Sequence, residues 1–404
     1  MKEIKEIVKV PEIFLPEKDY YEWAVVACDQ FTSEPKYWAE LEKIVGDKPS
    51  TLNITFPEVY LGRDDDKRIE NINATMKEYV DNGVLSKKLN SFILVERESD
   101  GKKRIGLMLA IDLETYDWTP FADVPVKATE GTILSRIPPR VKIRENAPLE
   151  LPHVMLLCDD REGVLLEKLY ARRNEFEKAY DTDLNMGGGH ITGYIVNDEK
   201  FVYDALETLD SKAEKEKKYG HDTAFLFAVG DGNHSLATAK TCWENLKKAG
   251  AKDNHPARYA LCELVNIYDK GLFFEPIHRV LFNVKDEFKA KLLALSGDTE
   301  LTCVGAQNVK VSGTAPEIIK TLQTMIEDGV KSGEVGEVDY VHGENSVREI
   351  VAEHDGSMGI LMPTIKKSEL FGYVLDKGVL PKKAFSMGEA NEKRYYMETR
   401  KIRE

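Results

Sequence analysis

The sequence predicts an α/β protein, or an α+β protein, in which helices flank mixed sheets. Three observations support this prediction. Short apolar runs alternate with amphipathic segments along the chain, which is typical of strands that alternate with helices. Polar turns rich in glycine and aspartate separate these runs. The 404 residues are 42% hydrophobic and 31% charged, which is the composition of a folded chain rather than of a disordered or fibrous one.

The N-terminal part of the sequence predicts two helices and a hairpin. A helix is expected to begin at an N-cap formed by Ser33 or Thr32, because Pro35 would then lie in its first turn, where proline is favoured. The spacing of apolar residues predicts a second helix over Ile69–Val80. The apolar runs 91–97 and 104–112 predict two strands, and the Asp100-Gly101 turn between them predicts that they pair as a hairpin.

The next part of the chain gives fewer clear signals. The stretch Pro120–Pro152 shows little periodicity and is rich in proline and mixed charge, so it is expected to be functional or to hold a short strand and a helix. Val154–Cys158 predicts a buried strand, and Arg161–Tyr180 predicts a helix. A strand is expected at Tyr194–Val196 and a helix over Phe201–Lys218.

The sharpest local pattern follows these elements. The apolar run Thr223–Val229 predicts a strand, Gly230–Ser235 a glycine-rich turn, and the segment from Leu236 a helix. The remaining predicted elements are the strand Arg258–Ile267 and the helices Asp286–Leu295, Pro316–Gly329 and Lys366–Phe371.

The length predicts several domains, since domains average roughly 150 residues. We place boundaries near Pro148 and Phe282. They define an N-terminal α/β region (1–148), a core region that carries the glycine-rich turn (149–282) and a C-terminal α/β region (283–404).

Charge and composition exclude several classes of function. The net charge of −14 repels phosphate backbones, so nucleic acid is not expected as a partner. No apolar run approaches the roughly 20 residues of a membrane span, and the N-terminus has no signal-peptide pattern. The five cysteines form no C-x-x-C pair, which is typical of reduced, buried thiols in a cytoplasmic protein. The apolar content is compatible with a homodimer.

The turn Gly230–Ser235 is the first candidate site. A strand-to-helix turn collects free N–H groups and the positive end of a helix dipole, which together bind phosphate. Asp231 is suited to hold Mg²⁺ or to accept a proton, and His234 to donate to a phosphoryl oxygen, while Asn233 and Ser235 are suited to cradle the anion. The alternative is a simple helix cap with a glycine turn, which the local pattern alone favours.

The second glycine-rich segment, Gly187–Gly193, contains His190. It lacks the ending of a phosphate-binding P-loop and the spacing of a dinucleotide-binding fingerprint. A tight hairpin turn is the simpler interpretation, and a ligand contact through His190 is the alternative.

A basic series lies within the proline-rich stretch. Arg136, Arg140, Lys142 and Arg144 alternate with other residues, so in an extended chain they would project to one face. That arrangement would form an anion clamp. A charged, solvent-exposed edge strand is an equally good interpretation.

The order of these motifs resembles that of a known family. Asp231-Gly-Asn-His-Ser is similar to the Asp-Gly-His-His-Arg signature of domain-of-unknown-function family 1015. Ala27–Glu34 resembles the family's N-terminal Tyr-Asp-Val-Ile-Ser-Pro-Glu segment. The segment Leu264–Leu272, followed by Pro276-Ile-His278-Arg279, resembles its Leu-Val-Asn-Met, Gly-Leu and Pro-Thr-His-Arg motifs. The chain departs at Asn233 and Ser235, where the family has histidine and arginine, and Arg140 or Arg144 is the candidate substitute for that arginine.

The Asp-Gly-x-His segment is also similar to that of free-serine kinases related to ParB-like nucleotide-binding domains. This resemblance implies a ParB/free-serine-kinase-like core with additional subdomains. It implies that the turn lies beside nucleotide phosphates, and that Asp29 or Glu34 accepts the proton of a serine hydroxyl. ATP or ADP would be the phosphoryl donor, with Mg²⁺. No basic helix-turn-helix module of the kind that DNA-binding relatives carry is found.

The function that follows is a small-molecule kinase acting on free L-serine or a related hydroxyl amino acid, or running in reverse on phosphoserine. The residues assigned to catalysis are Asp29, Asp231 and His234. The residues assigned to substrate or phosphate are Gly232, Asn233, Ser235, Arg136, Arg140, Arg144, His190 and His278. Two alternatives stay open: a non-catalytic protein that binds a nucleotide or phosphometabolite, which the altered signature favours, and a nucleotide hydrolase.

Overall fold

A mixed sheet of ten strands, counted over the described residues, organises the first of two units into which the chain divides. The computed structural model describes residues 2–18 and 20–403. The first unit comprises Met1–Ala128, Thr132–Leu272 and Glu389–Glu404, and the second comprises Thr129–Gly131 and Phe273–Gly388. These units divide the chain differently from the three predicted regions, because strands from both sides of residue 148 pair within the one large sheet.

The first unit contains most of the helices and strands. Its first strands are β1 (Val8–Lys9), β2 (Glu12–Leu15), β3 (Lys87–Asn90), β4 (Phe92–Ser99), β5 (Lys102–Asp112), β6 (Tyr116–Asp117), β7 (Val126–Ala128), β8 (Leu149–Glu150), β9 (Met155–Cys158), β10 (Glu177–Asp183), β11 (His190–Val196), β12 (Phe227–Asp231) and β13 (Tyr259–Asn266). Its helices are α1 (Ile4–Ile7), α2 (Tyr20–Trp23), α3 (Pro35–Val45), α4 (Asp65–Asp81), α5 (Ile137–Arg144), α6 (Leu166–Ala171), α7 (Glu199–Asp210), α8 (Lys212–Tyr219) and α9 (Asn233–Lys248).

The order of strands in the large sheet brings distant parts of the sequence together. The order is β10-β11-β4-β5-β13-β9-β12-β7-β6, and β1 pairs with β5. β9 runs parallel to β13 but antiparallel to β12, so the start of β9 lies beside the end of β12. In this register Asp231 is opposite Met155. The sheet therefore places the residues before β9 next to the glycine-rich turn that follows β12.

Both faces of the large sheet are covered, as side-chain alternation along a strand allows. In β5, Leu107 and Leu109 belong to a core cluster that includes Leu166 of α6 and Trp243 of α9. Met108 belongs to a second cluster, to which α4 contributes four buried side chains. The prediction of mixed sheets flanked by helices is thus confirmed.

The second unit contains a smaller sheet, whose five strands pair antiparallel among the described residues. Its strands are β14 (Phe274–Phe282), β15 (Thr299–Leu301), β16 (Cys303–Val304), β17 (Val309–Val311), β18 (Glu337–His342), β19 (Met358–Ile360) and β20 (Phe385–Met387). Its helices are α10 (Asp286–Leu293), α11 (Ala315–Ser332), α12 (Glu344–Glu353) and α13 (Lys367–Lys377). The strand order is β16-β19-β14-β18, with β20 paired to β14. A last strand, β21 (Arg400–Lys401), returns to the first unit and pairs with β8.

Most predicted elements are confirmed. They include α3, α4, the β4–β5 hairpin, the strand–turn–helix of β12 and α9, the strand β13, and the helices α10, α11 and α13. The prediction of a tight hairpin turn at the second glycine-rich segment is also confirmed, since it joins the antiparallel strands β10 and β11.

Two predicted helices were wrong in part. The helix expected over Arg161–Tyr180 ends at Ala171, and the remainder becomes β10, in which Tyr180 is buried. Pairing with β11 overrides the local helical pattern there. The helix expected over Phe201–Lys218 is divided at Ser211, whose hydroxyl accepts the N–H of Glu214 and starts α8.

The cysteines follow the expectation with one difference. All five thiols are free, and four are buried, whereas Cys28 is half-buried. None of the helices among the described residues has the length and apolar composition that crossing a bilayer requires.

A buried carboxyl group makes the stability of the first unit depend on pH. Glu398 is fully buried, and its Oε1 accepts the hydroxyl of Tyr180 at 2.8 Å. Burial and the nearby charge of Glu263 raise the pKa of Glu398 from 4.5 to about 7. Because the folded pKa is raised, the contribution of this group is fully present below pH 4.5 and is lost as pH rises through about 7.

Glu398→Gln is therefore expected to stabilise the protein at pH 8 by up to about 3 kcal/mol, since each pKa unit corresponds to about 1.4 kcal/mol. Urea unfolding at pH 5 and pH 8 measures this. Between pH 5 and pH 8, the free energy of unfolding should fall less in the variant than in the wild type. Glu177→Gln, at an exposed carboxyl of β10, is the matched control and should leave the dependence unchanged. Equal pH dependence in wild type and Glu398→Gln would contradict the assignment.

Candidate functional site

The turn after β12 has the geometry of an anion site. β12 ends at Asp231, Gly232 has φ +82°, and α9 begins at Asn233. A Cβ at Gly232 would lie 3.0 Å from the Cα of Val154, so both the backbone angle and the close approach require glycine. No side chain caps the helix from the N-cap position Gly232. The first N–H groups of α9 are thus suited to an anionic ligand.

Asp231 contacts the turn and a lysine from the C-terminal segment. Its Oδ1 accepts the N–H of Gly232 at 2.8 Å, and its Oδ2 lies 3.4 Å from Nζ of Lys393. The helix-cap interpretation expects this carboxylate or the side chain of Asn233 at the start of α9. The amide of Asn233 donates to the carbonyl of Val229 at 3.5 Å.

The two histidines near the turn have different surroundings. Nε2 of His234 accepts the N–H of Ile133 at 3.2 Å, so this ring is directed to the backbone before α5. His153, which directly precedes the residues of β9, has its Nε2 at 2.9 Å from the hydroxyl of Ser235. His153 also packs edge-on against the ring of Tyr395, with centroids 5.3 Å apart. His153 rather than His234 therefore holds the hydroxyl at the start of α9.

Two carboxyl groups lie near this histidine with opposite pKa shifts. Desolvation opposes the charge of Asp29, but His153, the Gln30 amide and Lys393 together lower the pKa of Asp29. Desolvation raises the pKa of Glu58, even though Arg140 Nη2 donates to its Oε1 and favours the charged form. These surroundings therefore favour the charged form of Asp29, whereas burial disfavours the charged form of Glu58.

The basic series forms a helix and not an extended strand. The prediction of an extended segment, whether as an anion clamp or as an edge strand, was wrong. Prolines occupy the first turn of α5, where they favour a helix. Arg136, Arg140 and Arg144 are four residues apart and share a helix face, whereas Lys142 pairs with Asp66. The outcome differs for each arginine.

The three arginines of that shared face have different partners. Arg136 is exposed, and its carbonyl accepts from Nη1 of Arg140 at 3.2 Å. Arg144 pairs with the buried carboxylate of Glu150. Arg140 is thus the arginine of the series that pairs at the site, and Lys393 supplies a second cation.

Two other predicted residues lie apart from the turn. His190 begins β11, and three strands separate β11 from β9 in the sheet. Its two ring nitrogens each lie 2.7 Å from a carboxylate, those of Asp183 and Asp181, which raise the pKa of His190 against desolvation. His278 belongs to the second unit, where its Nδ1 accepts the N–H of Met362 at 3.0 Å.

A cavity of about 190 Å³ opens beside the turn. Polar side chains line part of it, and these are Cys28, Thr55, Glu58, Arg140, Arg144, Glu150, His153, Ser235, Thr238 and Tyr395. Apolar side chains of α4, α5 and α9 line the other part. The cavity brings the start of α9 together with the histidine, the Glu58–Arg140 pair and the N-terminal segment.

The sequence alone did not identify three residues of the site, which are Glu58, His153 and Lys393. Each lies in a segment with no recognisable motif, and their proximity depends on strand order and on the return of the C-terminal segment. The sequence offers one weak signal for His153, which is that Pro152-His153 precedes a buried strand. This signal does not show that the strand, β9, pairs antiparallel to β12.

Metal ligands are limited to single carboxylates. Among the described residues, no group of three or more histidine, cysteine, aspartate or glutamate side chains is arranged to hold a metal ion. Mg²⁺ commonly binds through one or two carboxylates, with phosphates and water as the other ligands. Asp231, directly before the turn that starts α9, is a single carboxylate of this kind.

The comparison with known protein families shows to which family the chain belongs. A family model described as "Protein of unknown function (DUF1015)" matches residues 11–399. The chain belongs to the DUF1015 family. The match includes every residue of the first unit that was assigned to the site. No curated protein matches this DUF1015 chain.

Solved structures similar to this DUF1015 protein include a free serine kinase mutant in complex with AMP. That structure has 12% sequence identity and a TM-score of 0.39, and the match covers 70% of this chain and 88% of that chain. A conserved hypothetical protein from Pyrococcus furiosus has 12% identity and a TM-score of 0.36, over 70% and 90% of the two chains. SbnI from Staphylococcus aureus has 13% identity and a TM-score of 0.26, over 63% and 82%. With TM-scores below 0.5, these likenesses carry no further conclusion.

Proposed function

We propose that this DUF1015 protein is a small-molecule phosphotransferase. It moves a phosphoryl group between a nucleotide, ATP or ADP, and the hydroxyl of a small acceptor, for which free L-serine and phosphoserine are the first compounds to test. The observation that supports this most directly is the cavity at the start of α9, where Ser235 and His153 meet the Glu58–Arg140 pair.

The start of α9 would hold the phosphates. Its N–H groups and its dipole favour a negative ligand. Arg140 and Lys393 add positive charge, each being paired with a carboxylate in the absence of a ligand. Such cations offset the charge that spreads over the phosphoryl oxygens during transfer.

The acceptor hydroxyl would lie between this point and a carboxylate. Its oxygen forms the new bond to phosphorus, the bond from phosphorus to the departing nucleotide breaks, and the hydroxyl proton passes to the carboxylate. Glu58 is suited to take the proton because it lines the cavity and burial raises its pKa. Asp29, with a lowered pKa, is suited to orient the hydroxyl. His153 would hold Ser235 in position at the start of α9.

Mg²⁺ would supply charge neutralisation and alignment of the phosphates when it is bound. Asp231 is the residue that would contribute a ligand to it. Lys393 and Arg140 provide positive charge that does not depend on the metal.

The proposal also includes the cellular compartment and the partners of the protein. The protein would act in the cytoplasm, where nucleotides are abundant, and its charge of −14 would disfavour nucleic acid. Association into a homodimer stays a prediction.

A thermal-shift screen tests the proposed function. The ligands are ATP, ADP, pyrophosphate, L-serine and phosphoserine, each with and without Mg²⁺. A ligand at about 100 times its dissociation constant adds about 2.7 kcal/mol of stability, which raises Tm measurably. We expect shifts with a nucleotide and with an acceptor, and formation of phosphorylated product when both are present.

Arg140→Gln should reduce the nucleotide shift, and Arg348→Gln, at an exposed arginine of α12, is the matched control. The absence of any shift would reject the proposal.

A non-catalytic binding protein is the second candidate. The observation that favours it is that Asn233 and Ser235 replace the histidine and arginine of the family signature. It predicts the nucleotide shift without product, whereas a nucleotide hydrolase would form product without an acceptor.

A further inference from the structure

The apolar part of the cavity has no role in the phosphoryl chemistry described above. Its walls include Ile72 and Met76 of α4, Ile143 of α5, and Leu236 and Ala239 of α9. This part lies next to the polar side chains at the start of α9, so one ligand can contact both. A ligand that fills the whole cavity must therefore have a polar end and an apolar end.

Glu150 and Thr238, which also line the cavity, already have partners. The carboxylate of Glu150 accepts from Arg400 at 2.6 Å and from Arg144. The hydroxyl of Thr238 donates to the carbonyl of His234 at 2.7 Å. A nucleobase placed there would leave its ring nitrogens and amino group without hydrogen bonds, which is costly. The apolar part thus favours a group without polar atoms.

The volume sets the size of that group. An apolar cavity of roughly 150 Å³ accommodates benzene. The cavity here has about 190 Å³, which is enough for a benzene-sized group together with a short polar extension. The CH₂OH side chain of serine would leave most of the apolar part unfilled.

From this geometry, and resting on the proposed function, we propose that the phosphoryl acceptor carries an apolar group of about six carbon atoms next to its hydroxyl. The substrate class is an alcohol with an aliphatic or aromatic body, and the product is its phosphate ester. The phosphate end lies at the start of α9, and the apolar body lies between α4, α5 and α9.

Direct binding of simple phosphate compounds tests this inference without turnover. Isothermal titration calorimetry compares phenyl phosphate, O-phosphoserine, inorganic phosphate and adenosine on the wild-type protein. Phenyl phosphate should bind at least about tenfold more tightly than O-phosphoserine and inorganic phosphate, because only its ring removes apolar surface from water. Adenosine should bind more weakly than phenyl phosphate.

Ala239→Leu fills part of the apolar space and should remove most of the tenfold preference while the affinity for inorganic phosphate stays the same. Ala147→Leu, at a second buried wall residue, serves if the first variant does not fold. Ala171→Leu, at an exposed position of α6, is the matched control and should keep the preference.

The outcomes separate this inference from the proposed function. Equal affinity for phenyl phosphate and O-phosphoserine, with ATP or ADP still bound, overturns the inference alone. Tight adenosine binding that Ala239→Leu removes overturns it in favour of a nucleobase in the cavity. Failure of inorganic phosphate, ATP and ADP to bind the wild type rejects the proposed function and the inference with it.

Discussion

Asp231→Asn is expected to lower the rate of phosphoryl transfer by about 100-fold or more, which is the typical effect of removing one well-placed charged group from an active site. Asparagine keeps an oxygen that can accept the N–H of Gly232, a bond of 2.8 Å in the wild type, so the turn should keep its shape. The variant loses the negative charge that pairs with Lys393 and that would bind Mg²⁺. Steady-state kinetics of product formation measures the effect.

The expected loss is in kcat and not in nucleotide binding. Removal of a negative charge beside the start of α9 does not weaken the attraction of phosphate to that helix, so the nucleotide-induced thermal shift should remain. Asp222→Asn, at an exposed loop residue before β12, is the matched control and should show wild-type kinetics. Turnover retained in Asp231→Asn would remove Asp231 from the catalytic group, and a lowered Tm without ligand would indicate that its role is structural.

The fold was predictable where local signals and tertiary structure agree. The β4–β5 hairpin and the β12–α9 unit each combine a clear apolar period with a turn of the right chemistry, and the structure confirms both. The helix expected over Arg161–Tyr180 failed because pairing with β11 decides the conformation of its second half. The order of the strands depends on packing between segments that are distant in the sequence. The local spacing of apolar residues carries no information about that packing.

Only the part of the candidate site that comes from a single segment of the chain could be predicted from the sequence. The turn Gly230–Ser235 carries its own signals, and the structure places it at a cavity. His153, Glu58 and Lys393 come from three other segments, and only the folded sheet brings them to the same place. The arginines of α5 show the reverse problem, since a shared spacing suggested one role for side chains that the structure separates.

Arg144 illustrates why spacing alone misleads. It was assigned to phosphate, but its guanidinium pairs with Glu150, which is 5% exposed. The same carboxylate accepts from Arg400 at 2.6 Å and from the N–H of Leu261 at 2.9 Å. A phosphate ligand would have to replace a buried carboxylate that already has three donors. Arg144 also lines the cavity, and its pairing with Glu150 connects α5 to β8 and β21.

Glu150→Gln is expected to destabilise the protein by about 3–5 kcal/mol, because it removes the charge that two arginines share in a buried setting. Arg400 is 6% exposed and would keep its charge without a carboxylate partner. Glutamine still offers an oxygen to Leu261, so the loss comes mainly from the uncompensated arginines. Urea unfolding at pH 7 measures the difference, with exposed Glu145→Gln as the matched control on the preceding turn.

The pH dependence gives this prediction a second test. The charges of Arg400 and Arg144 outweigh burial and lower the pKa of Glu150 below 4.5. A lowered folded pKa means that its contribution is complete above pH 4.5 and is lost as pH falls through the folded value. The wild type should therefore lose its advantage over Glu150→Gln progressively as the pH falls below 4.5. A constant difference between the two proteins from pH 7 to pH 3 would mean that the glutamate stabilises the fold through its shape and hydrogen bonds and not through its charge.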